Sequence, residues 1–500
     1  MISEEDWEGV RGKMETLIII VVILLFLAAF MLIRTARAMR PLSPIEESEL
    51  VEVDVDGAAK RLADVIQLET VSSGHDAFNH DPFRKLHILL EEFYPLVHQK
   101  MKREIISDAS LLFTWEGKQK DLNPILFAAH QDVVPADPST LDTWTYPPFS
   151  GEIAEGFIWG RGTIDIKSQM MATLESAELL LREGFDPERT IYLAFGQDEE
   201  LGGQYGAAKI VEHLDRQGVH LAAMVDEGGA IMEGTIAGVD EPIALIGTAE
   251  KGHLSLKLRA AGTPGHSSMP GKDMAIGRLA RALARLDATQ QPVRLKALKD
   301  LISNLGSAAS FGMQFVFSNL WIFKPIVKMQ AEANHTTNAM IRTSTALTIV
   351  SGGIKENVLP AYAEALVNFR LLPGDSIAKV CDRVRKIIKD DQIEFEPEVD
   401  GAWEASPVSS TDTNSYLILK HTIRKVFEGI PVAPYLVMGA TDARYYAPIS
   451  DATYRFSPFK LTAEDLNRMH GIDERISVES YGKMIVFFHE LMQSWGQADL

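Results

Sequence analysis

After residue 51, segments with the helical spacing of apolar residues alternate along the chain with short, continuous apolar runs. Helical spacing of apolar residues predicts helices at 57–71, 168–184 and 207–218. Short apolar runs between them are typical of buried strands, at 125–129, 190–196 and 221–225. Strands that alternate with helices predict an α/β protein, with a mainly parallel sheet sandwiched by helices.

The pattern changes near residue 250 and changes back near residue 405. Between these points we predict strands and helices at 253–262, 273–288, 363–374, 376–390 and 392–399. A strand-helix-strand-strand-helix-strand order fits a two-layer α+β domain inserted into the larger one, with residues 290–345 as an elaboration. We therefore divide the chain into an N-terminal segment and linker at 1–50, the larger domain at 51–249 and 403–500, and the inserted domain at 250–402.

The N-terminal part contains an uncharged apolar stretch, Leu17 to Ile33. As a helix it would be about 26 Å long, near the lower limit for crossing a bilayer. We favour an uncleaved membrane anchor at residues 17–33, and a cleaved signal peptide is the alternative. The basic residues Arg34, Arg37 and Arg40 favour a cytoplasmic location for the side that follows the stretch.

Composition narrows the range of functions. The 500 residues are 46 % hydrophobic and 24 % charged, which is ordinary for globular domains. A formal net charge of −20 argues against a nucleic-acid partner, because such proteins need basic groups to neutralise phosphates. Cys381 is the only cysteine, so no internal disulfide is expected.

Polar side chains follow each of the three apolar strands at the point where the strand ends. These residues are His130 and Asp132, then Asp198, Glu199 and Glu200, and finally Asp226 and Glu227, while Asp165 directly precedes a helix. In open α/β sheets the ligand site lies at the carboxyl ends of the strands, so these groups should converge. Many carboxylates in one pocket need cations, and imidazole with carboxylate suits zinc, with manganese or cobalt as substitutes.

Each of these features alone has an ordinary explanation, as a solvated turn, a surface pair or an acid at a helix N-terminus. Their repetition after three strands favours the metal site. A shared site also explains the adjacent Glu199 and Glu200, since one can bind a metal while the other acts as a base. Asp132 can then orient His130 by accepting its other ring proton.

The motifs at these positions are specific when taken together. They are "HQDVVP", "GRGTIDIK", "QDEELGG", "VDEGG", "TPGHSS" and "RMHG", extended by "NAMIRTSTALT", "NFRLLPGDS", "GATDARYY" and "YRFSP". This set resembles the dizinc carboxypeptidase and aminoacylase family, in particular its carboxypeptidase S branch, which includes N-fatty-acyl-amino acid synthase/hydrolases. The resemblance covers nearly everything after residue 55.

The resemblance implies a role for each matching residue. It implies that His130 binds one zinc and Asp132 orients it, Asp165 bridges two zinc ions, Glu199 is the general base, and Glu200 and His470 bind the second zinc. The remaining ligand is Asp226 or Glu227, with Asp226 slightly favoured. Ile166 stands where close relatives often carry a second Asp.

Other matching residues would act on the substrate. The resemblance implies that His266 donates a hydrogen bond to the tetrahedral intermediate, and in dimeric relatives it does so across the subunit interface. A homodimer is therefore one expected assembly of this chain. Arg370 and Arg444 would hold a substrate carboxylate in bidentate fashion, with surface ion pairs as the alternative. Asn338 would assist in binding substrate.

The implied function is a dizinc hydrolase that cleaves amide bonds in N-acyl amino acids or in peptides with a free C-terminal carboxylate. Condensation of fatty acids with amino acids is the reverse reaction. The alternatives are a carboxypeptidase acting on short peptides and a catalytically inactive binding protein of the same fold. The resemblance places the catalytic domain outside the cytoplasm, membrane-anchored or secreted after signal cleavage.

Overall fold

The structure is a computed structural model of the chain, and it describes residues 4–39, 44–45, 49–72, 78–235, 239 and 241–500. The helices are α1 (Glu4–Ala38), α2 (Val55–Ile66), α3 (His80–Phe93), α4 (Pro95–Lys100), α5 (Lys167–Arg182), α6 (Ala207–Arg216), α7 (Ala275–Ala288), α8 (Lys296–Asn304), α9 (Phe311–Ser318), α10 (Leu320–Ala333), α11 (His335–Ile341), α12 (Ile377–Ile388), α13 (Asn414–Val426), α14 (Ala443–Tyr446), α15 (Ala463–Arg468) and α16 (Val478–Gln497). The strands are β1 (Lys102–Ile106), β2 (Ser110–Trp115), β3 (Ile125–His130), β4 (Ile153–Ala154), β5 (Phe157–Trp159), β6 (Ile191–Gly196), β7 (Ala223–Asp226), β8 (Ile231–Met232), β9 (Ile243–Glu250), β10 (Gly252–Ala261), β11 (Gly265–His266), β12 (Ser344–Gly352), β13 (Val358–Leu359), β14 (Tyr362–Leu371), β15 (Ile393–Trp403), β16 (Val432–Val437), β17 (Thr453–Arg455), β18 (Lys460–Leu461) and β19 (Arg475–Ser477).

The large sheet has ten strands, in the order β1-β2-β6-β3-β7-β17-β9-β8-β18, with β16 paired to β9. Strands β6, β3, β7 and β17 run parallel to one another at its centre. Antiparallel pairs flank them on both sides, and β18 and β16 pair parallel with β8 and β9. Central parallel strands place their carboxyl ends side by side, so the residues that follow them meet at one edge of the sheet.

Both faces of the central strands β3, β6 and β7 are buried, as the continuous apolar runs predict. Along β3, Ile125, Phe127 and Ala129 belong to the core that contains α5 and α16. The alternate residues Leu126 and Ala128 belong to a second core that contains α6 and α14. Side chains on a strand alternate between faces, so one apolar run supports two helical layers. The predicted α/β sandwich is therefore confirmed.

The inserted domain has its own antiparallel sheet, in the order β12-β14-β10-β15. Helices α7 and α12 pack on one face of this sheet, through a separate apolar core. Strand β10 shows the alternating burial of a sheet that is covered on one side. The two-layer α+β architecture is confirmed, and β12 is the strand whose position the sequence did not indicate. The exact boundaries at 250 and 402 stay a prediction.

The elaboration at residues 290–345 folds into four helices, α8 to α11. Helix α8 packs against β16, so this unit is joined to the edge of the large sheet. Helix α1 contacts α9. Residues 11–38 of α1 are long and apolar enough to cross a membrane, and 6 % of their most apolar window is buried. A signal sequence has the same length and composition.

Candidate metal centre

Five of the predicted site residues come from the carboxyl edge of the large sheet and its flanking loops. His130 is the last residue of β3, Glu199 and Glu200 follow β6, and Glu227 follows β7. Asp165 lies two residues before α5, which packs beneath this sheet. The sheet topology therefore brings together residues that are widely separated in sequence.

His130, Asp165 and Glu227 form the first of two groups. The Nε2 atom of His130 lies 3.0 Å from Oδ1 of Asp165 and 3.4 Å from Oε1 of Glu227. His130 is 1 % exposed, and the two carboxylates are largely buried. One imidazole nitrogen and two carboxylate oxygens thus face a common point.

The second group is formed by Asp165, Glu200 and His470. The Nε2 atom of His470 lies 2.8 Å from Oδ2 of Asp165 and 3.3 Å from Oε1 of Glu200. Asp165 therefore presents one carboxylate oxygen to each group. His470 lies just after α15, and its backbone has a positive φ of 59°. The second group therefore joins the sheet edge to the C-terminal part of the chain.

The donor atoms of both groups fit zinc. Ligand atoms around a tetrahedral zinc ion, each about 2.0 Å from the metal, lie about 3.3 Å from one another. The four separations above range from 2.8 to 3.4 Å. In addition, the buried Oε1 atom of Glu200 accepts no hydrogen bond within the part of the chain that the structure describes. A cation at each group would satisfy such atoms.

Asp132 connects the first group to the turn that carries Glu199 and Glu200. Its carboxylate accepts the backbone N–H groups of Glu199 and Glu200, both at 3.1 Å, and the hydroxyl of Ser72 at 2.7 Å. The Nδ1 atom of His130 lies 3.4 Å from Oδ1 of Asp132 and 2.9 Å from its backbone oxygen. One fully buried carboxylate therefore fixes both an imidazole and the following acidic turn.

The structure distinguishes the two neighbouring acids after β7. Glu227 belongs to the first group, whereas Asp226 belongs to neither of the two groups found among the described residues. Asp226 is buried, and it pairs in register with Arg455 of β17. In this arrangement Glu227 reaches the first group, and a buried Oδ2 atom of Asp226 has no hydrogen-bond partner among the described residues. Which of the two acids is the ligand stays a prediction.

The electrostatics reflect an excess of buried acids. Burial, followed by the Glu227 carboxylate, raises the pKa of Glu199 well above its ordinary value. Burial and then Asp165 raise the pKa of Glu227 to about 8. Burial also raises the pKa of Asp226 to about 6 and that of Asp442 well above its usual range.

The imidazoles respond in the opposite sense to this concentration of negative charge. The carboxylates of Asp165 and then Glu200, which lie beside its ring, raise the pKa of His470 to about 10. Burial lowers the pKa of His130, but Glu227 and the other carboxylates beside it outweigh burial and raise that pKa well above its ordinary value. The buried carboxylates of the centre therefore stabilise positively charged groups placed beside them.

Glu474 is a residue that the sequence analysis missed. Its Oε1 atom accepts the backbone N–H groups of Gly162, Ile164 and Asp165, at 3.0, 2.8 and 3.1 Å. Its Oε2 atom accepts Nη1 of Arg161 at 2.5 Å, and both side chains are buried. Glu474 therefore fixes the loop that presents the shared carboxylate. The signal in the sequence is its place four residues after His470.

A cavity of about 1050 Å³ adjoins Glu200 and reaches the inserted domain. Arg444 lies at its wall, where Nη2 donates to the carbonyl of Gly202 at 2.6 Å and the guanidinium lies 4.3 Å from the ring centre of Trp403. The Trp403 ring in turn stacks on His253. The cavity thus combines an aromatic wall with a cationic group next to the second metal group.

Arg370 stands on the neighbouring strand β14, in register with His253. Burial and then the positive charge of Arg444 lower the pKa of Arg370, and burial with both arginines lowers the pKa of His253 to about 4. The two arginines therefore share one electropositive region. An anionic ligand would relieve their mutual repulsion.

The remaining predicted residues belong to neither of the two groups found among the described residues. His266 is exposed on β11 of the inserted domain, and its Nδ1 atom accepts the backbone N–H and the hydroxyl of Ser268. Asn338 lies on α11, with a buried Oδ1 atom that has no hydrogen-bond partner among the described residues. Ile166 packs in the main core and is 1 % exposed, which explains an apolar residue at that position.

Comparison with known proteins identifies the family. The model of "Peptidase family M20/M25/M40" matches residues 126–494, so the chain belongs to this family. The predicted membership is thereby confirmed, and with it a zinc-dependent hydrolase of amide bonds.

Several relatives are similar over most of their length. The chain is 41 % identical to "Probable carboxypeptidase S-like 2" of Dictyostelium discoideum, over 87 % of this chain and 84 % of that protein. It is 40 % identical to "N-fatty-acyl-amino acid synthase/hydrolase PM20D1" of Xenopus tropicalis, over 94 % of this chain and 93 % of that protein. It is 31 % identical to "Carboxypeptidase S" of Saccharomyces cerevisiae, over 86 % of this chain and 82 % of that protein.

Solved structures share the fold at low sequence identity. The M20 family metallo-carboxypeptidase Sso-CP2 from Sulfolobus solfataricus superposes with a TM-score of 0.61 and 17 % identity, covering 88 % of this chain and 99 % of that one. Human carnosine dipeptidase 1 superposes with a TM-score of 0.57 and 14 % sequence identity, covering 88 % of this chain and 97 % of that one. These similarities support the α/β fold with an inserted domain.

Proposed function

We propose that this chain is a dizinc amidohydrolase that acts on N-acyl amino acids, or on peptides, with a free carboxylate next to the scissile bond. The observation that carries the proposal is the Asp165 carboxylate, which presents one oxygen to each of two ligand groups. His130 and Glu227 would complete the site of one ion, and Glu200 and His470 that of the other. Manganese or cobalt could substitute, since both accept imidazole and carboxylate ligands.

Zinc, when bound, supplies a Lewis acid for the carbonyl and lowers the pKa of a water molecule. Glu199 is the group that accepts the proton of the attacking water and passes it to the leaving amine. Asp132 keeps Glu199 in place through the backbone of the turn, and keeps His130 oriented. Burial of these side chains keeps bulk water away from the reacting groups.

Arg444 and Arg370 would bind the substrate carboxylate. Arg444 lines the cavity beside Glu200, and Arg370 lies in register with His253, which also lines it. Guanidinium groups bind carboxylates in bidentate fashion. The names of the relatives suggest both fatty-acyl amino acids and peptides as substrates, and condensation of the former would be the reverse reaction.

Asn338, with its unpaired buried carbonyl, would add a polar contact to the substrate. His266 would act in a second copy of the chain, because it is exposed and held by Ser268 within its own domain. A homodimer would bring it to the partner's site. Helix α1 would anchor the chain in a membrane, with the catalytic domain outside the cytoplasm.

The test of the catalytic proposal is a Glu199→Gln variant of the full chain. We expect amide hydrolysis to fall by roughly 10²–10⁴-fold while the zinc content stays near two ions per chain, because Glu199 is not among the ligands. Glu212→Gln, an exposed acid on α6, is the control and should leave both quantities unchanged. Full turnover in Glu199→Gln would remove the base assignment, and one zinc per chain would remove the second site.

Substrate class is tested with matched pairs of compounds. N-oleoyl amino acids, N-acetyl amino acids and dipeptides are each compared with a twin whose carboxylate is capped as an amide. We expect only the free acids to be hydrolysed efficiently. Equal rates within each pair would exclude the carboxylate site, and the ranking of the three free acids would separate an acylase from a peptidase.

A further inference from the structure

Helix α10 is apolar on two opposite faces. Phe323, Val327 and Ala331 recur every four residues and pack into the core beside β16. On the other side, Trp321, Ile322, Ile326 and Met329 are 39–64 % exposed. Phe311 of α9, the helix before α10, is 54 % exposed, and we call these five exposed apolar residues the α10 stripe. A surface helix normally carries one apolar face only, and exposed apolar surface of this kind marks a contact site.

The end of α1 docks beside this stripe. Thr35 of α1 is fully buried, and Nδ2 of Asn319, between α9 and α10, lies 3.4 Å from the Thr35 hydroxyl and from the carbonyl of Met31. Towards its N-terminus α1 continues as a helix whose large apolar side chains are exposed, including Leu25 at 64 %. The exposed apolar surface of α1 therefore meets α9 and α10 at one end of its apolar stretch.

Basic residues surround this junction, although the chain as a whole carries a net charge of −20. Arg34 and Arg37 are exposed on the last turns of α1, and Lys324 and Lys328 are exposed on α10. Long basic side chains such as these can reach lipid phosphates while their aliphatic parts lie on apolar groups. Exposed Trp321 is also a residue type enriched at membrane interfaces.

From this arrangement we infer that the α10 stripe is a second membrane contact, which rests on the bilayer surface where α1 leaves it and thereby fixes the orientation of the catalytic domain. The inference rests on the proposed role of α1 as an anchor. It differs from that role because the stripe lies in the interface without crossing the bilayer, as interfacial amphipathic helices do. The occupant of the stripe is thus lipid.

The test uses the full chain in phosphatidylcholine vesicles, with single environment-sensitive fluorophores on introduced cysteines. The background is Cys381→Ser, which removes the only native thiol. Labels are placed at Ile326→Cys and, as a second position on the stripe, at Met329→Cys. Leu417→Cys on α13 is the matched control, because Leu417 is 51 % exposed and Ile326 is 49 % exposed. Leu25→Cys reports on α1.

Addition of doxyl-labelled phosphatidylcholine should quench the labels at positions 326 and 329 and leave the label at 417 unchanged. Quenching at 25 together with unquenched, water-like emission at 326 and 329 would overturn the inference and leave the anchor standing. A blue-shifted but unquenched label at 326 would indicate a protein partner, such as a second copy, and would equally overturn it. Quenching at 326 and 329 but not at 25 would remove the anchor, and would overturn the inference that the stripe lies where α1 leaves the bilayer.

Discussion

Replacement of Glu474 by Gln should weaken the metal centre although Glu474 belongs to neither ligand group. One oxygen of Glu474 accepts three backbone N–H groups of the loop that ends in Asp165. Its other oxygen pairs with Arg161, which is 2 % exposed. The amide keeps an acceptor for the loop but leaves the buried guanidinium without its counter-charge.

The expected magnitude follows from these contacts. Loss of one partner of a buried ion pair costs about 3–5 kcal/mol, because the remaining charge is left uncompensated. The three backbone hydrogen bonds also change from charged to neutral acceptors, which weakens each by about 1 kcal/mol. Since these effects are not additive, we expect a total destabilisation of about 3–5 kcal/mol. Loss of such an outer contact usually lowers metal affinity roughly 10–100-fold.

The assay combines thermal unfolding with zinc titration of the full-length variant. Glu464→Gln provides a matched control, because Glu464 also lies 2.5 Å from an arginine, Arg468, but is 75 % exposed. Exposed pairs contribute about 0–1 kcal/mol, so the control should keep its melting temperature and zinc affinity. If Glu474→Gln and Glu464→Gln behaved alike in both measurements, the argument that Glu474 supports Asp165 would be refuted.

Three further results are expected. Glu227→Gln should lower the zinc content below that of Asp226→Asn, because only Glu227 belongs to a ligand group; the opposite order by elemental analysis would restore the sequence-based preference. Arg444→Ala should raise the KM for free-acid substrates by roughly tenfold or more and leave amide-capped twins unchanged in steady-state kinetics. Burial lowers the pKa of Lys251 to about 8, below its unfolded value of 10.5, so the unfolded state binds more protons between these pH values. From pH 8 to 10 the wild type should therefore gain about 2 kcal/mol of stability relative to Lys251→Met, seen as a rising difference in melting temperature; parallel pH profiles would contradict this.

The central strands could be predicted because their apolar runs are continuous and sharply bounded. Ile125 to Ala129 are buried on both faces, so the sequence shows a run instead of an alternation. The ends of such runs can therefore be located in the sequence, and the polar residue that follows, such as His130, can be assigned to the edge of the sheet. The same reasoning located Glu199 and Glu200 at the edge.

The choice between Asp226 and Glu227 could not be made in this way. Consecutive side chains point to opposite faces of a strand, and β7 ends at Asp226 itself, so the direction of each acid depends on the local path of the chain. Glu474 was missed for a different reason. Its partner Arg161 is 313 residues away in sequence, and no local pattern records a contact of that range.

The acids at the centre explain why the site could be recognised in the sequence and why it needs cations. Two like charges 4 Å apart repel by about 4 kcal/mol at an effective dielectric constant of about 20. Burial, and then neighbouring carboxylates, raise the pKa values of Glu199, Glu227 and Asp442. A protein fold does not gain stability from such a cluster, so its presence requires a function that uses the negative charge. Two divalent ions held by Asp165, as proposed above, would supply the compensation. The buried acids that a purely structural core would exclude are then the ones that would bind the metal.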